Sequence, residues 1–142
     1  MLYLPNAKRC QALGASPSQS QVDVVVFNPA ASGIVAYVRH LRFQASLAST
    51  PRLRHYTAAP ANALSLFNKD LTGAVPACSF SWGTGIAGFE MGRINNPTPN
   101  EWHQVLFGEP YVLHEGKGIG IDGANASGMI VRVEAEWDEV PA

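Results

Sequence analysis

Apolar and polar residues alternate most clearly near the end of the chain. From position 129 to position 137 the odd positions hold Met, Val, Val, Ala and Trp, whereas most even positions from 130 to 138 are polar or charged. This period of two predicts a β-strand with one buried and one exposed face. The exposed face is predicted to be a solvated one that carries the acidic residues Glu134, Glu136, Asp138 and Glu139.

Other short apolar runs predict further strands. Residues 22–27 are rich in Val and end at Asn28-Pro29, and residues 34–43 alternate with Val35, Tyr37, Leu41 and Phe43 on one face. The small residues between these two runs predict a hairpin. Additional strands are predicted within residues 50–58, 102–107, 110–113 and 119–121, with a short helical turn over 61–67 and loops with one or two short strands over 73–99.

Strands of this spacing, separated by turns and without helical crossovers, predict an all-β fold. The expected architecture is an antiparallel β-sandwich or jelly roll with long loops. The length of 142 residues fits one domain. Residues 1–20 show no periodicity and are predicted to be an extended N-terminal arm that orders on a neighbour, so the sandwich domain is assigned to residues 21–142.

Composition narrows the classes of function. Charged residues make up only 15% of the chain, against about 25% in ordinary domains. Such a surface suits a protein packed against neighbours, although an ordinary domain with few charges would look the same. The net charge of −1 without a basic cluster argues against a role on nucleic acid. The sequence shows neither a membrane span nor a signal-peptide pattern, so we expect the protein to fold in the cytoplasm. In that reducing compartment Cys10 and Cys78 are expected to be free thiols, with Cys78 the more buried of the two.

Motifs that carry chemistry are weak. Residues 83–88 (Gly-Thr-Gly-Ile-Ala-Gly) match a dinucleotide-binding pattern, but Gly92 and Pro97 would end any helix after it, so a glycine-rich loop is predicted. The Gly-Lys-Gly at 116–118 is predicted to be a hairpin turn. Four histidines lack metal-ligand spacing: His40, His55, His103 and His114. We therefore predict no catalytic, cofactor-binding or metal-binding residues, and not an enzyme.

Two segments resemble a known class of proteins. Residues 25–34 (Val-Val-Phe-Asn-Pro-Ala-Ala-Ser-Gly-Ile) resemble the opening strand, Asn-Pro-Ala-x-Ser-Gly turn and second strand of small β-sandwich structural proteins of tailed bacteriophages. Residues 109–113, 116–121 and 131–139 resemble the closing strands of the same proteins. The family often has a proline before the glycine turn, where this chain has His114-Glu115.

The resemblance implies a virion protein assembled in the host cytoplasm. Its role would be capsid decoration (cement), with a trimer favoured, or head or tail accessory protein, and its partners would be the major capsid protein or other virion proteins rather than nucleic acid or membrane. The alternative is a tail or fibre module that binds a host receptor or glycan on a stacking platform of Trp82, Trp102 and Tyr111. Aromatic residues of β domains are more often buried in the core, because burial of their large apolar area stabilises the fold.

Overall fold

The computed structural model describes residues 7–64, 75–125 and 127–142, and in these ranges the regular structure is entirely β. The strands are β1 (Lys8–Ala15), β2 (Val22–Asn28), β3 (Ile34–Ala45), β4 (Arg52–Tyr56), β5 (Asn62–Ala63), β6 (Ser79–Thr84), β7 (Gly88–Arg93), β8 (His103–Val105), β9 (Tyr111–Leu113), β10 (Lys117–Asp122) and β11 (Val131–Pro141).

The strands form two antiparallel sheets. The first sheet has the order β1-β11-β3, and both β8 and β9 pair with the far side of β3. The second sheet has the order β5-β6-β2-β10-β4-β7. This confirms the predicted antiparallel β-sandwich, whereas the finer assignment to a jelly roll stays a prediction.

The core lies between the two sheets. Alternate residues of β2, β3, β10 and β11 point into it, as the period of two requires. Its largest fully buried side chain is Trp137, and the same apolar cluster contains Val24, Phe43, Phe80 and Ile121. The predicted buried side of residues 129–137 is confirmed, because every odd position from Met129 to Trp137 is at most 1% exposed.

Two connections join the sheets instead of forming hairpins. The predicted hairpin of β2 and β3 is wrong, because β2 pairs with β6 and β10 while β3 pairs in the other sheet. The turn over residues 114–118 likewise links β9 of the first sheet to β10 of the second, with Gly116 at φ 78°. Glycine is favoured at this position because φ is positive. The predicted hairpin turn at 116–118 is nevertheless wrong, since the turn connects the two sheets at a corner of the sandwich.

Both corners meet at Asn28, which is fully buried. Its side-chain amide donates to the carbonyl oxygens of Ile34 and Leu113, each at 3.0 Å. Its Oδ1 accepts from the Ser32 hydroxyl at 2.6 Å, and its main-chain oxygen accepts from the Gly116 amide at 2.7 Å. The segment before β3 is therefore held to the segment before β10 by one side chain.

The N-terminal arm is a correction to the sequence prediction. Residues 8–15 form β1, an edge strand paired with β11 along its whole length, and the side chains of Cys10 and Ala12 are buried in the core. The sequence does not predict this strand, because the small residues of β1 can pack closely against the core without forming a clear apolar pattern. A Cβ at Gly14, for example, would lie 2.9 Å from the ring of Phe80. Residues 1–6 lie outside the described residues.

Strand β3 contains a bulge that the predicted alternation missed. Glu136 lies opposite His40 and Trp137 opposite Val38, so Arg39 is an extra residue on β3. Interior positions therefore change parity, from Ala36 and Val38 to Leu41, Phe43 and Ala45, and the predicted grouping of Val35 and Tyr37 with Leu41 and Phe43 is wrong.

Two of the four acidic residues predicted to face water are buried. Glu139 is 4% exposed because its odd position continues the interior side of β11. Asp138 is 5% exposed, since the Arg39 guanidinium lies 2.9 Å from its carboxylate. Of the helical turn predicted over 61–67, Asn62 and Ala63 instead form β5, and the part from residue 65 onward lies outside the described residues.

Candidate interaction surface

The residues considered for chemistry are scattered over the sandwich. His103 Nε2 bonds Asn96, His40 bonds Gln104, and His55 bonds Tyr111, so these three rings each have a different partner. The fourth, His114, lies in the turn between β9 and β10. In the part of the chain that the structure describes, no group of three or more His, Cys, Asp or Glu is arranged to hold a metal ion. The glycine-rich segment 83–88 joins β6 to β7, with a strand where a dinucleotide motif would open a helix.

The three aromatic residues of the predicted stacking platform occupy different environments. Trp82 lies on β6 opposite Val24, in the second sheet, and packs partly buried against the core. Trp102 precedes β8 and has the Arg42 guanidinium 4.4 Å above its ring. Tyr111 is on β9 and bonds His55. The described ring contacts do not join any two of the three.

Another aromatic cluster closes one side of the sandwich. We name it the aromatic rim, and it consists of His55, Phe89, Phe107 and Tyr111. The rings of His55 and Phe89 stack at 4.8 Å, Tyr111 meets His55 edge-on at 6.1 Å, and Phe107 lies 5.7 Å from Tyr111. The rim bridges β4 and β7 of the second sheet to β9 of the first, at the side where both sheets end.

Large apolar side chains remain exposed along and beside this rim. Phe89 is 56% exposed, Met91 on the same edge strand is 40% exposed, and Leu106, next to Phe107, is 81% exposed. Strand β7 has one paired side only, against β4, and most of its residues are exposed. Scattered exposed apolar residues are ordinary in soluble proteins, but Phe89 and Met91 lie close together on an unpaired sheet edge, which makes this edge a candidate interaction surface.

The polar groups of the rim are neutral near physiological pH. Burial and the nearby Lys117 lower the pKa of His55 below its ordinary 6.5, so its imidazole is uncharged. Burial raises the pKa of the Tyr111 phenol, whose oxygen lies 2.8 Å from His55 Nδ1. These two groups satisfy each other, so burial of the pair would not remove a charge of either group from water, and the nearby charge is that of the exposed Lys117.

Charged groups elsewhere pair within the chain. On the outer face of the second sheet, the Tyr56 hydroxyl donates to Asp23 at 2.7 Å, and Arg54 Nη1 lies 3.4 Å from Asp23. Asp122 pairs with Arg52, and Arg54 is 3.8 Å away from it. Burial and the neighbouring Asp122 raise the pKa of Asp23, and Tyr56 and Arg54 oppose this shift.

A polar pocket lies beside these charged residues. It is open to solvent, has a volume of about 240 Å³ and is lined by Gln21, Arg52, Arg93 and Ala124. Glu90 contacts both arginines of the pocket, at 3.9 Å from Arg52 and 2.9 Å from Arg93. The cations of the pocket are therefore already paired.

The sequence did not predict the rim. Of its four residues, Tyr111 was predicted to belong to a stacking platform, and His55 was considered only as a possible metal ligand. One signal was available: Phe89 and Met91 alternate with Glu90 in a short segment flanked by glycines, as in a strand. No pattern in the sequence brings Phe107 to Tyr111 and His55, since this contact depends on how the two sheet edges meet.

Comparison with protein-family models, with curated proteins and with solved structures found no match for this chain. Among the described residues, no helix is long and apolar enough to cross a membrane.

Proposed function

We propose that this protein is a non-enzymatic structural subunit that acts by packing against neighbouring proteins, and that the aromatic rim is its contact. The observation that carries the proposal is the exposure of Phe89, Met91 and Leu106 beside a neutral aromatic cluster, on a molecule whose arginines are largely paired internally.

Burial of the exposed residues at the rim would contribute favourably to a contact within an assembly. Complete burial of one large apolar side chain contributes about 1.5–3 kcal/mol, and Phe89 and Leu106 each expose more than half of their surface. Covering them would supply a few kcal/mol from these two residues. The partner surface should accordingly be apolar and uncharged at its centre, as in the central part of protein–protein interfaces.

In its specific form, the proposal is a capsid decoration (cement) protein that bridges capsid subunits of a tailed bacteriophage. The resemblance of residues 25–34, 109–113, 116–121 and 131–139 to small virion proteins supports this role. The first of these segments contacts Leu113 and Gly116 of the next two through Asn28, so these similar residues lie together in the sandwich.

A reconstitution experiment tests this function. Virus particles whose genome encodes this chain are prepared without the protein. Purified protein is then added back, and its copy number per particle is measured by quantitative mass spectrometry. The double variant Phe89→Ser and Leu106→Ser should reduce occupancy at limiting protein concentration by at least about tenfold, since about 1.4 kcal/mol corresponds to a factor of ten.

The matched control is Leu13→Ser, which removes a partly exposed leucine from β1, on the edge of the first sheet away from β9. It should bind as the wild type does. Equal occupancy of the rim variant and the wild type would refute the rim as the contact, and absence of the chain from purified wild-type particles would refute the virion role.

The alternative of a receptor- or glycan-binding module has less support. Its strongest element is Trp102, which is 37% exposed under Arg42, whereas Trp82 and Tyr111 pack against the core. Binding of the isolated protein to a glycan array, abolished by Trp102→Ala, would favour the module over the structural subunit.

A further inference from the structure

Strand β7 is an open edge of the second sheet. It pairs on one side only, with β4, and five of its six residues are exposed. Phe89 is 56% and Met91 40% exposed on this strand. An unpaired edge of this kind is a template for another strand, and two identical strands can pair antiparallel about a two-fold axis. The edge is therefore open to the same strand of a second molecule.

A bulge in β7 places its two charged residues on one face. Two consecutive residues of β4 lie opposite Glu90 and Gly92, so Met91 is an extra residue of β7. This insertion brings Glu90 and Arg93, three positions apart, to the same face, where Arg93 Nε lies 2.9 Å from Glu90 Oε1. The Arg93 side chain is 62% exposed, and its two Nη groups have no ion-pair partner among the described residues. They remain available to a second carboxylate.

One antiparallel register makes β7 complementary to itself. With the two-fold axis in the middle of residues 91–92, Glu90 of each molecule lies opposite Arg93 of the other, and Phe89 lies opposite Ile94. Phe89 and Ile94 share the side of the core, so faces match as well as charges. An axis at Glu90 itself would instead oppose two carboxylates. A bulged edge resists a straight strand, but a second copy has the same bend at the same distance from the axis.

We propose that β7 pairs antiparallel with β7 of a second copy of this chain, so that the second sheets of two molecules join through reciprocal Glu90–Arg93 ion pairs. The assembly is a two-fold dimer, whereas the resemblance to virion proteins favours a trimer. A contact made by one short strand lies at the low end of interface sizes, so we expect reversible association with a dissociation constant of about 1–100 μM. This dimer does not depend on the capsid contact, because it is measured on the purified protein without particles, and either can fail alone.

Exchange of charges across the axis tests the dimer. Sedimentation velocity of the purified full-length protein from about 1 to 300 μM should show a shift from monomer to dimer. Glu90→Arg and Arg93→Glu each set like charges opposite one another at two places, and each should weaken association at least about tenfold. An equimolar mixture of the two variants restores opposite charges at both places, so it should associate about as the wild type does. Both variants lack the ion pair within the chain, so its loss cannot explain this rescue.

The matched control is Glu101→Arg, which makes the same charge change at an exposed residue between β7 and β8 and should leave association unchanged. Melting temperatures check that each variant is folded, and the double variant Glu90→Arg and Arg93→Glu, in which both charges are exchanged, should associate like the wild type. Four results would overturn the dimer: a wild type that stays monomeric over the whole range, a trimer, single variants that associate as the wild type does, or a mixture that associates no better than its components.

Discussion

Replacement of Asn28 should destabilise the protein more than any comparable change at an exposed asparagine. Asn28→Ala removes two donors, from the carbonyl oxygens of Ile34 and Leu113, and one acceptor, from the Ser32 hydroxyl. A buried group left without its partner costs about 1–3 kcal/mol, and the Leu113 carbonyl is the more deeply buried of the two. We expect a loss of about 3–5 kcal/mol in the free energy of unfolding, a large share of the ~5–15 kcal/mol of a typical domain.

Equilibrium urea unfolding measures this loss, with the buried Trp137 as a fluorescence reporter. The matched control is Asn62→Ala, whose amide bonds the Trp82 carbonyl at an exposed site and should cost no more than about 0.5 kcal/mol. Asn28→Asp has nearly the same shape but cannot donate two N–H bonds, so it should be at least as harmful as alanine near neutral pH. The reasoning would be refuted by a loss below about 1 kcal/mol in Asn28→Ala, or by an Asp variant as stable as the wild type.

Three further predictions concern buried charge and close packing. The raised pKa of Asp23 means that the folded state holds its proton more tightly than the unfolded chain, so the stability of the wild type relative to Asp23→Asn should fall as pH rises from the ordinary 3.8 through the folded value. Parallel stability–pH curves of the two proteins would contradict this. Glu139→Gln puts an amide among three N–H donors and should cost about 2–3 kcal/mol in urea unfolding, against about 0.5 kcal/mol or less for the exposed Glu109→Gln. Gly120→Ala places a Cβ 2.0 Å from a main-chain oxygen and should cost at least about 3 kcal/mol or prevent folding, whereas Gly92→Ala meets nothing within 4 Å and should change the melting temperature little.

The fold class could be predicted because its signals are local. The period of two in residues 129–137 depends only on which side of one strand is buried, and the structure confirms it up to Trp137. The Asn28-Pro29 end of β2 is equally local, since proline cannot donate to a ladder. Strand positions over 22–27 and 52–56 were therefore within reach of the sequence.

Pairing between strands was beyond local signals. A short connection such as residues 29–33 fits a hairpin or a corner between sheets equally well, and the choice depends on Asn28 reaching Leu113, 85 positions away. The bulge at Arg39 left a readable trace, because the apolar positions of β3 change from even to odd between Val38 and Leu41. The strand β1 left none, since its Ala, Gly and Cys residues do not stand out from those of a loop.

The distribution of charge connects the composition to the proposed contact. Six arginines of a chain with few charges are engaged with carboxylates of the same chain, among them Arg39 with Asp138 and Arg54 with Asp23. These pairs cover the outer faces of the two sheets, so the polar residues of the sandwich stabilise the monomer in preference to a partner. At the rim, the edges of both sheets end in aromatic and aliphatic side chains, and its one titratable pair, His55 with Tyr111, is neutral. Since most arginines already have a carboxylate partner in the same chain while Phe89 and Met91 stay exposed on an unpaired strand, the proposed contact is expected to gain its free energy from burial of apolar surface at this edge.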